Sequence, residues 1–264
     1  MQVRKRDGTL EDLNIDKLHK VVMYACEGIA GVSASQVEIN SKIQFFDKID
    51  TEDIQETLIK SAADLISEEA PNYQYVAGRL INYHLRKMVY GQFEPPCLCD
   101  IVQENIDAGF YDPEFTDLYT KDEINQLQSY IDHERDEVLT YAAMEQFRGK
   151  YLVQNRATGQ IYETPQVAYM MIAATLFAKY PEDTRMSYIK AYYDAISLFK
   201  LSLPTPVMAG VRTPQRQFSS CVLIETDDSL DSINATTSSI VKYVSQKAGI
   251  GIGAGSIRAV GSKI

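Results

Sequence analysis

Apolar and polar residues alternate along this chain with two periods, one of strands and one of helices. At the start, Val3 to Arg6 and Thr9 to Leu13 flank Asp7-Gly8, a dipeptide suited to the positive φ angles of a type I′ turn, so a β-hairpin is expected. Leu18, Val21, Val22, Ala25 and Ile29 then recur at helical spacing behind Asn14, a good N-cap. Ser33 is placed to cap a second helix. Thr51 is placed to cap a third, with Ile54, Leu58, Ala62 and Leu65 on one side. A fourth opens at Pro71, carries Val76, Leu80 and Leu85, and stops at Gly91, a C′ glycine. Pro95-Pro96 breaks the pattern and marks an expected domain boundary. Residues 1–94 therefore read as a β-hairpin packed on a four-helix cluster.

Residues 95–216 read as a helical domain. Lys121 to His133 and Asp136 to Phe147 have helical spacing, and a short hairpin is expected from 151–153 and 160–162, turning near Thr158-Gly159. Thr164-Pro165 is a cap and first-turn pair for a helix through Lys179, and another helix is expected from Thr184 to Lys200. Tyr162, Tyr169, Tyr180, Tyr188, Tyr192 and Tyr193 invite a radical or stacking role, but their spacing is that of ordinary packing. From residue 217 the character changes. Cys221 to Glu225 is a continuous apolar run fit for a buried strand. Asp228 is placed to cap a long helix with Leu230, Ile233, Thr237, Ile240, Val241, Val244 and Ala248 on one face, closed by Gly249. Residues 217–264 thus read as the first strand-helix unit of an α/β domain. A closed α/β barrel takes on the order of 200 residues or more, so an open edge is expected near Ile264.

Composition narrows the function. The formal charge is −10, from 36 acids against 26 bases, a field that repels phosphate backbones and acidic membranes; neither nucleic acid nor membrane is an expected partner. It leaves room for a single nucleotide held by a few local cations. The start is charged, without an apolar leader, no apolar run reaches the length of a membrane span, and four cysteines do not make a disulfide framework, so the cytoplasm is the expected compartment. His19, His84 and His133 are scattered and Cys97-x-Cys99 lacks the gap of zinc pairs; no metal is expected in this chain.

Three constellations could carry chemistry. The first is Val3-Arg-Lys-Arg-Asp-Gly8 with Asn14, Lys17, Thr51 and Lys87; cations beside a helix N-terminus can hold a triphosphate, and the same residues also suit a solvated hairpin. The second is Ser202-Leu-Pro-Thr-Pro206, Arg212-Thr-Pro214 and Gln217-Phe-Ser-Ser-Cys-Val-Leu223, where Cys221 is either a packed residue or a redox thiol. The third is Asp228-Ser-Leu-Asp-Ser-Ile-Asn234 and the run Gly249 to Gly255. That run mimics a dinucleotide fingerprint but follows a helix, where the fingerprint must follow a strand.

These strings resemble a known family. The Lys-Arg-Asp-Gly hairpin, the helices and Leu85-Arg-Lys-Met-Val-Tyr-Gly91 resemble the ATP-cone domain that opens many ribonucleotide reductase large subunits. The second string resembles the segment opening the ten-stranded α/β barrel of the class I subunits. The chain is thus similar to the N-terminal part of that subunit, mainly α with α/β. The resemblance implies an ATP/dATP activity site at Lys5, Arg6, Glu11, Asn14, Lys17, Thr51 and Lys87, with Gln55 standing where the family often has histidine. It implies a redox-active cysteine at Cys221, whose partner cysteine is not in this chain, and substrate contacts at Thr205, Ser220 and Gly249. It implies a dNTP specificity site at Asp228, Ser229, Leu230 and Arg258, and a homodimer formed through the 228–248 helix. The implied partners are the remaining C-terminal part of the large subunit, expected as a separate polypeptide, a small subunit bearing the metal-radical centre, and a thioredoxin- or glutaredoxin-type reductant. A non-catalytic ATP/dATP-binding regulator carrying a cone is the alternative.

Overall fold

The computed structural model describes residues 1–42, 45–246 and 248–263; Ile264, where an open edge is expected, lies outside them. Strands β1 (Gln2–Arg4) and β2 (Leu10–Asp12) form the expected hairpin, with Arg4 opposite Leu10. Its turn is not type I′. Gly8 alone takes a positive φ, +83°, while the Gly8 amide donates to the Lys5 carbonyl at 2.9 Å and the Lys5 amide to the Thr9 carbonyl at 2.9 Å. A type I′ turn needs positive φ at two successive residues, and Asp7 does not supply it. Helix α1 (Ile15–Cys26) is capped by Asn14, whose Oδ1 accepts from the Lys17 amide at 3.1 Å. Helix α2 (Ala34–Lys42) follows Ser33. A third strand, β3 (Ile49–Asp50), lies parallel to β1 and has no signature in the sequence. In α3 (Thr51–Ala63) Asp50 holds the cap position, so Thr51 is the first helical residue and not the cap. Helix α4 (Tyr73–Tyr90) starts two residues after Pro71 and ends on Gly91, left-handed at φ +69°.

The apolar core continues across Pro95-Pro96: Val22, Leu58 and Leu80 on one side join Leu127, Met144 and Ile172 on the other. Gly78 makes that continuity possible. A Cβ there would sit 2.0 Å from the Leu139 carbonyl oxygen, so only glycine lets the following backbone rest on α4.

The second unit is helical. Helices α5 (Leu98–Asp107) and α6 (Glu114–Leu118) escape the periodicity reading. Helix α7 (Lys121–Tyr130) starts with a reciprocal Thr120–Glu123 capping box. The helix expected from Asp136 to Phe147 is broken in three: a 3₁₀ turn (His133–Val138), helix α8 (Tyr141–Gln146) capped by Thr140, and a π turn (Phe147–Tyr151). Asp136 is buried within the first piece. The hairpin expected after residue 151 shrinks to one bridge, Gln154 opposite Ile161. Helix α9 (Pro165–Phe177) is buried for most of its length, and α10 (Glu182–Ser197) packs on it. After α11 (Thr205–Gly210), the guanidinium of Arg212 pairs with Glu163, both wholly buried. Arg212 also donates to the Met208 carbonyl at 2.6 Å and the Tyr151 carbonyl at 3.0 Å, and Glu163 accepts from Tyr111 Oη at 2.5 Å and the Val153 amide at 2.7 Å. Such full pairing is what makes a buried ion pair tolerable.

The last unit is β4 (Cys221–Glu225), α12 (Leu230–Ser245) and β5 (Gly249–Gly253), with β5 parallel to β4 and Cys221 opposite Gly249. It is a βαβ unit, one strand more than expected. Three expectations change. β4 is not buried, Leu223 being 85% exposed, because its strand partner among the described residues is β5 alone. Ser229, not Asp228, caps α12, its Oγ accepting from the Ser232 amide at 3.1 Å. Gly249 opens β5 and does not close the helix.

Candidate functional site

A cavity of about 810 Å³ lies between the β1–β2 hairpin and α1, α3 and α4. Lys5, Arg6, Glu11, Asn14, Lys17, Thr51 and Lys87 all line it, seven residues drawn from five segments spread over eighty positions. Its size is that of a small-molecule pocket. Its charge is not that of the protein, since Lys5, Arg6, Lys17, Lys20 and Lys87 face it against Asp7 and Glu11.

Local structure places each group. The hairpin carries Lys5 and Arg6 to its tip, where Asp7 accepts from the Thr9 amide at 2.9 Å and Thr9 Oγ1 at 2.6 Å; those bonds hold the Asp7 carboxyl below its ordinary pKa. Lys5 Nζ lies 2.8 Å from Glu11 Oε2 and Lys17 Nζ 3.7 Å from Oε1. The hydrogen bond between Lys5 and Glu11 raises the lysine's pKa and lowers the glutamate's, so both stay charged. Arg6 is shared between Glu52, at 2.9 Å, and His84 Nδ1, at 3.5 Å. Asn14 caps α1 at the wall, and Lys87 stands over the Tyr83 ring with its Nζ 5.2 Å from the centroid. Cations beside a helix N-terminus favour an anion, and Tyr24 and Tyr83 add aromatic surface on which a planar ring can rest.

The sequence reading misses Lys20, Tyr24, Tyr83 and His84. A signal is present: Lys17, Lys20, Val21 and Tyr24 share one face of α1, and Tyr83 and Lys87 are four apart on α4. Gln55 also lines the cavity.

Apart from Thr205, the remaining candidates lie on or beside the βαβ unit. Ser220, Cys221 and Gly249 come together: the Gly249 amide donates to the Ser220 carbonyl at 2.7 Å, and a Cβ on Gly249 would sit 3.7 Å from Cys221 Sγ. Cys221 is an exposed free thiol. Thr205 opens α11, a separate element. Asp228 and Arg258, thirty residues apart, meet through Arg258 Nε and Asp228 Oδ2 at 2.6 Å, while Ser229 is occupied as a cap and Leu230 is exposed. Ile233, Val241 and Val244 of α12 are exposed as well.

Comparison with known proteins covers nearly the whole chain. Residues 1–88 match the ATP cone domain, 137–216 the ribonucleotide reductase all-alpha domain, and 219–264 the ribonucleotide reductase barrel domain. The chain is 61% identical to ribonucleoside-diphosphate reductase 1 subunit alpha of Escherichia coli K12 over 99% of its length and 34% of that relative's. It is 60% identical to subunit alpha of Haemophilus influenzae and 48% identical to that of Enterobacteria phage T4, in each case over 100% of this chain and 35% of the relative. The chain therefore spans about a third of the length of these relatives.

Proposed function

This chain belongs to the ribonucleotide reductase large (alpha) subunits and corresponds to their N-terminal part, and from there we propose that its first unit is a nucleotide-sensing switch for ribonucleoside-diphosphate reduction. The observation that carries the reading is the convergence of Lys5, Arg6, Glu11, Asn14, Lys17, Thr51 and Lys87 on one cationic cavity. ATP or dATP binds there, its phosphates on Lys5, Arg6, Lys17 and Lys87 near the start of α1 and its sugar near Asn14 and Thr51. Glu11 holds Lys5 and Lys17 in place through its two oxygens. Gln55, where the family often has histidine, offers an amide in place of an imidazole, and so alters how the pocket distinguishes ATP from dATP.

Residues 1–94, 95–216 and 217–264 act in this reading as cone, helical domain and opening of the barrel. Ser220, Cys221 and Gly249 form part of the substrate site, with Thr205 contributing a hydroxyl. Cys221 supplies one of two thiols; its sulfur and that of a second cysteine join as a disulfide while the ribose 2′-hydroxyl leaves as water, two electrons passing from the thiols to the sugar. A thioredoxin- or glutaredoxin-type dithiol then resets the pair by exchange. Asp228, Ser229, Leu230 and Arg258 form part of a dNTP specificity site. The exposed Ile233, Val241 and Val244 pair α12 with its copy in a dimer. Further barrel strands cover β4, and a small subunit provides the metal-radical centre. What favours this over a purely regulatory cone protein is the match of residues 219–264 to a barrel domain, for which a regulator has no use.

Calorimetric titration with ATP and with dATP tests the reading. Saturable binding of both is expected, and Lys87→Ala should weaken it about tenfold or more, since a charged hydrogen bond contributes about 1.5–3 kcal/mol. Absence of binding by the unaltered protein would overturn the proposal.

A further inference from the structure

One side chain faces two cavities. His84 lines the cationic cavity and also a hollow of about 340 Å³ on its far side, at the seam between the first unit and the helical one. Glu52 and Glu56 of α3 and Arg148 of the π turn line that hollow too. Along it runs a line of polar side chains with one open link. Arg6 Nη2 is 3.5 Å from His84 Nδ1, and His84 Nε2 is 3.6 Å from Glu56 Oε1. Glu56 accepts from Arg148 through both oxygens, at 2.6 and 3.4 Å, and Arg148 also donates to Glu145, at 2.7 and 3.1 Å. The line begins at a cation of the nucleotide cavity and ends in the π turn, ninety-two positions along from Glu56.

We propose that Arg148 reports occupancy of the nucleotide cavity to the helical domain, acting as a positioning residue at the far end of this line. The inference rests on the nucleotide reading above and adds its output. Arg6 is now divided between Glu52 and His84, and neither contact is strong: the first is half exposed and the second is long. A phosphate is a better acceptor for a guanidinium than either, and it draws Arg6 inward. His84, buried, then loses its neighbour on Nδ1 and retains Glu56 on the other face. The 3.6 Å separation from Glu56 is too long for a good hydrogen bond, so the ring and the carboxylate have room to close on each other. Glu56 cannot serve His84 fully and still hold Arg148 through both oxygens. Arg148 shifts its hold toward Glu145, three residues back at the end of α8, and the cross-seam clamp on the π turn loosens. A π turn carries one residue more than an α-helical turn and often marks a functional site, and this one gives a local change a place to be absorbed. Glu56 and Arg148 are outside the cationic cavity, so the relay is separable from binding.

Hydrogen–deuterium exchange of the full chain, with and without saturating ATP, tests the proposal. ATP should speed exchange of the 147–152 amides about threefold or more in the unaltered protein. In Arg148→Ala that dependence on ATP should vanish, while the affinity measured by calorimetry stays within about twofold. Arg148→Lys should restore part of the response, which a purely structural role would not show. Glu56→Gln, which keeps shape and an acceptor but removes the charge, should behave as Arg148→Ala and serves if that variant does not fold. ATP binding with unchanged exchange at 147–152, or an equal response in Arg148→Ala, overturns the relay and leaves the nucleotide site standing. No binding of ATP at all overturns both.

Discussion

The first ninety residues and the last fifty are each expected to hold a nucleotide-related site, and they differ in how much of it they assemble. At the N-terminal end the hairpin, α1, α3 and α4 enclose a cavity, and every implied residue faces it. At the C-terminal end β4 pairs with β5 alone among the described residues, Leu223 is 85% exposed, and Cys221 is open to solvent. The difference is one of topology. A hairpin on helices closes a pocket with segments that all lie within the first ninety-one residues, whereas a barrel strand has its core on one side and helices on the other, and both must come from elsewhere. The contrast extends to energy: the first region shares a continuous core with the helical unit, while the βαβ unit packs mainly on itself.

The largest expected effect separates two leucines. Leu80 is wholly buried on α4, and Leu80→Ala should lower unfolding stability by about 2–5 kcal/mol, transfer plus cavity. Leu223→Ala, on the open strand, should change it by less than about 0.5 kcal/mol. Urea titration of the two variants reads both. Equal losses would mean that β4 is covered in solution and that the two ends are built alike.

Next in size is a pH dependence at the seam where the 3₁₀ turn of the helical unit packs on α4. Asp136 is wholly buried; its Oδ1 accepts from Gln166 at 2.8 Å, its Oδ2 has no hydrogen-bond partner among the described residues, and Arg86 at 4.0 Å is too far to hydrogen-bond. Burial therefore wins and pushes its pKa up to about 7 from 3.8. His133, close by in the same turn, is pushed down to about 4 from 6.5 by burial and by Arg86, with Asp132 opposing. The signs are opposite. Asp136 keeps its proton in the folded state, so its contribution is greatest at low pH and is lost as pH rises from about 4 to about 7. His133 stays neutral when folded, so its contribution is present above about 6.5 and is lost as pH falls toward 4. Between those limits the two slopes oppose, each roughly 1 kcal/mol per pH unit. Asp136→Asn should gain stability relative to the unaltered protein as pH rises through that window, and His133→Gln should gain as pH falls. Urea midpoints at several pH values decide it, and parallel curves for all three proteins would remove both groups from the balance.

How much of the molecule is legible in its sequence varies with the physical source of the signal. The caps at Asn14 and Gly91 stand where the residues put them, because caps depend on local chemistry. The two-residue β3 is invisible because two residues have no period, and α5 and α6 lack strong caps to mark them. The expected helix at Asp136 fails because burial at the seam outweighs local spacing, and Thr140, four residues later, is the true cap. The apolar run from Cys221 to Glu225 reads as buried, but burial needs neighbours that a strand's own sequence does not supply. For the cavity, the family resemblance names seven residues that periodicity alone scatters over separate elements. His84 is missed because a buried histidine on a helix looks like any core histidine until the cavity on each side of it is seen.

The smallest expected effect compares two caps of the same chemistry. Thr120 Oγ1 accepts from the Glu123 amide at 3.3 Å at the start of α7, and Ser229 Oγ accepts from the Ser232 amide at 3.1 Å at the start of α12. Replacing either by alanine removes a cap contributing about 1 kcal/mol. The consequence differs according to whether the helix unfolds with the rest. Helix α7 packs against α5 and α10 in the continuous core, so Thr120→Ala should lower the global stability by about that amount. Helix α12 touches β4 and β5, with much of its apolar surface exposed, so the βαβ unit should open on its own below the global transition. Ser229→Ala should then leave the urea midpoint unchanged while speeding amide exchange in 230–245 about fivefold, the factor that ~1 kcal/mol implies. If Ser229→Ala instead moved the global midpoint as far as Thr120→Ala does, the last fifty residues would fold as one body with the first two hundred, and the exposed faces of β4 and α12 would mark where that body receives a partner.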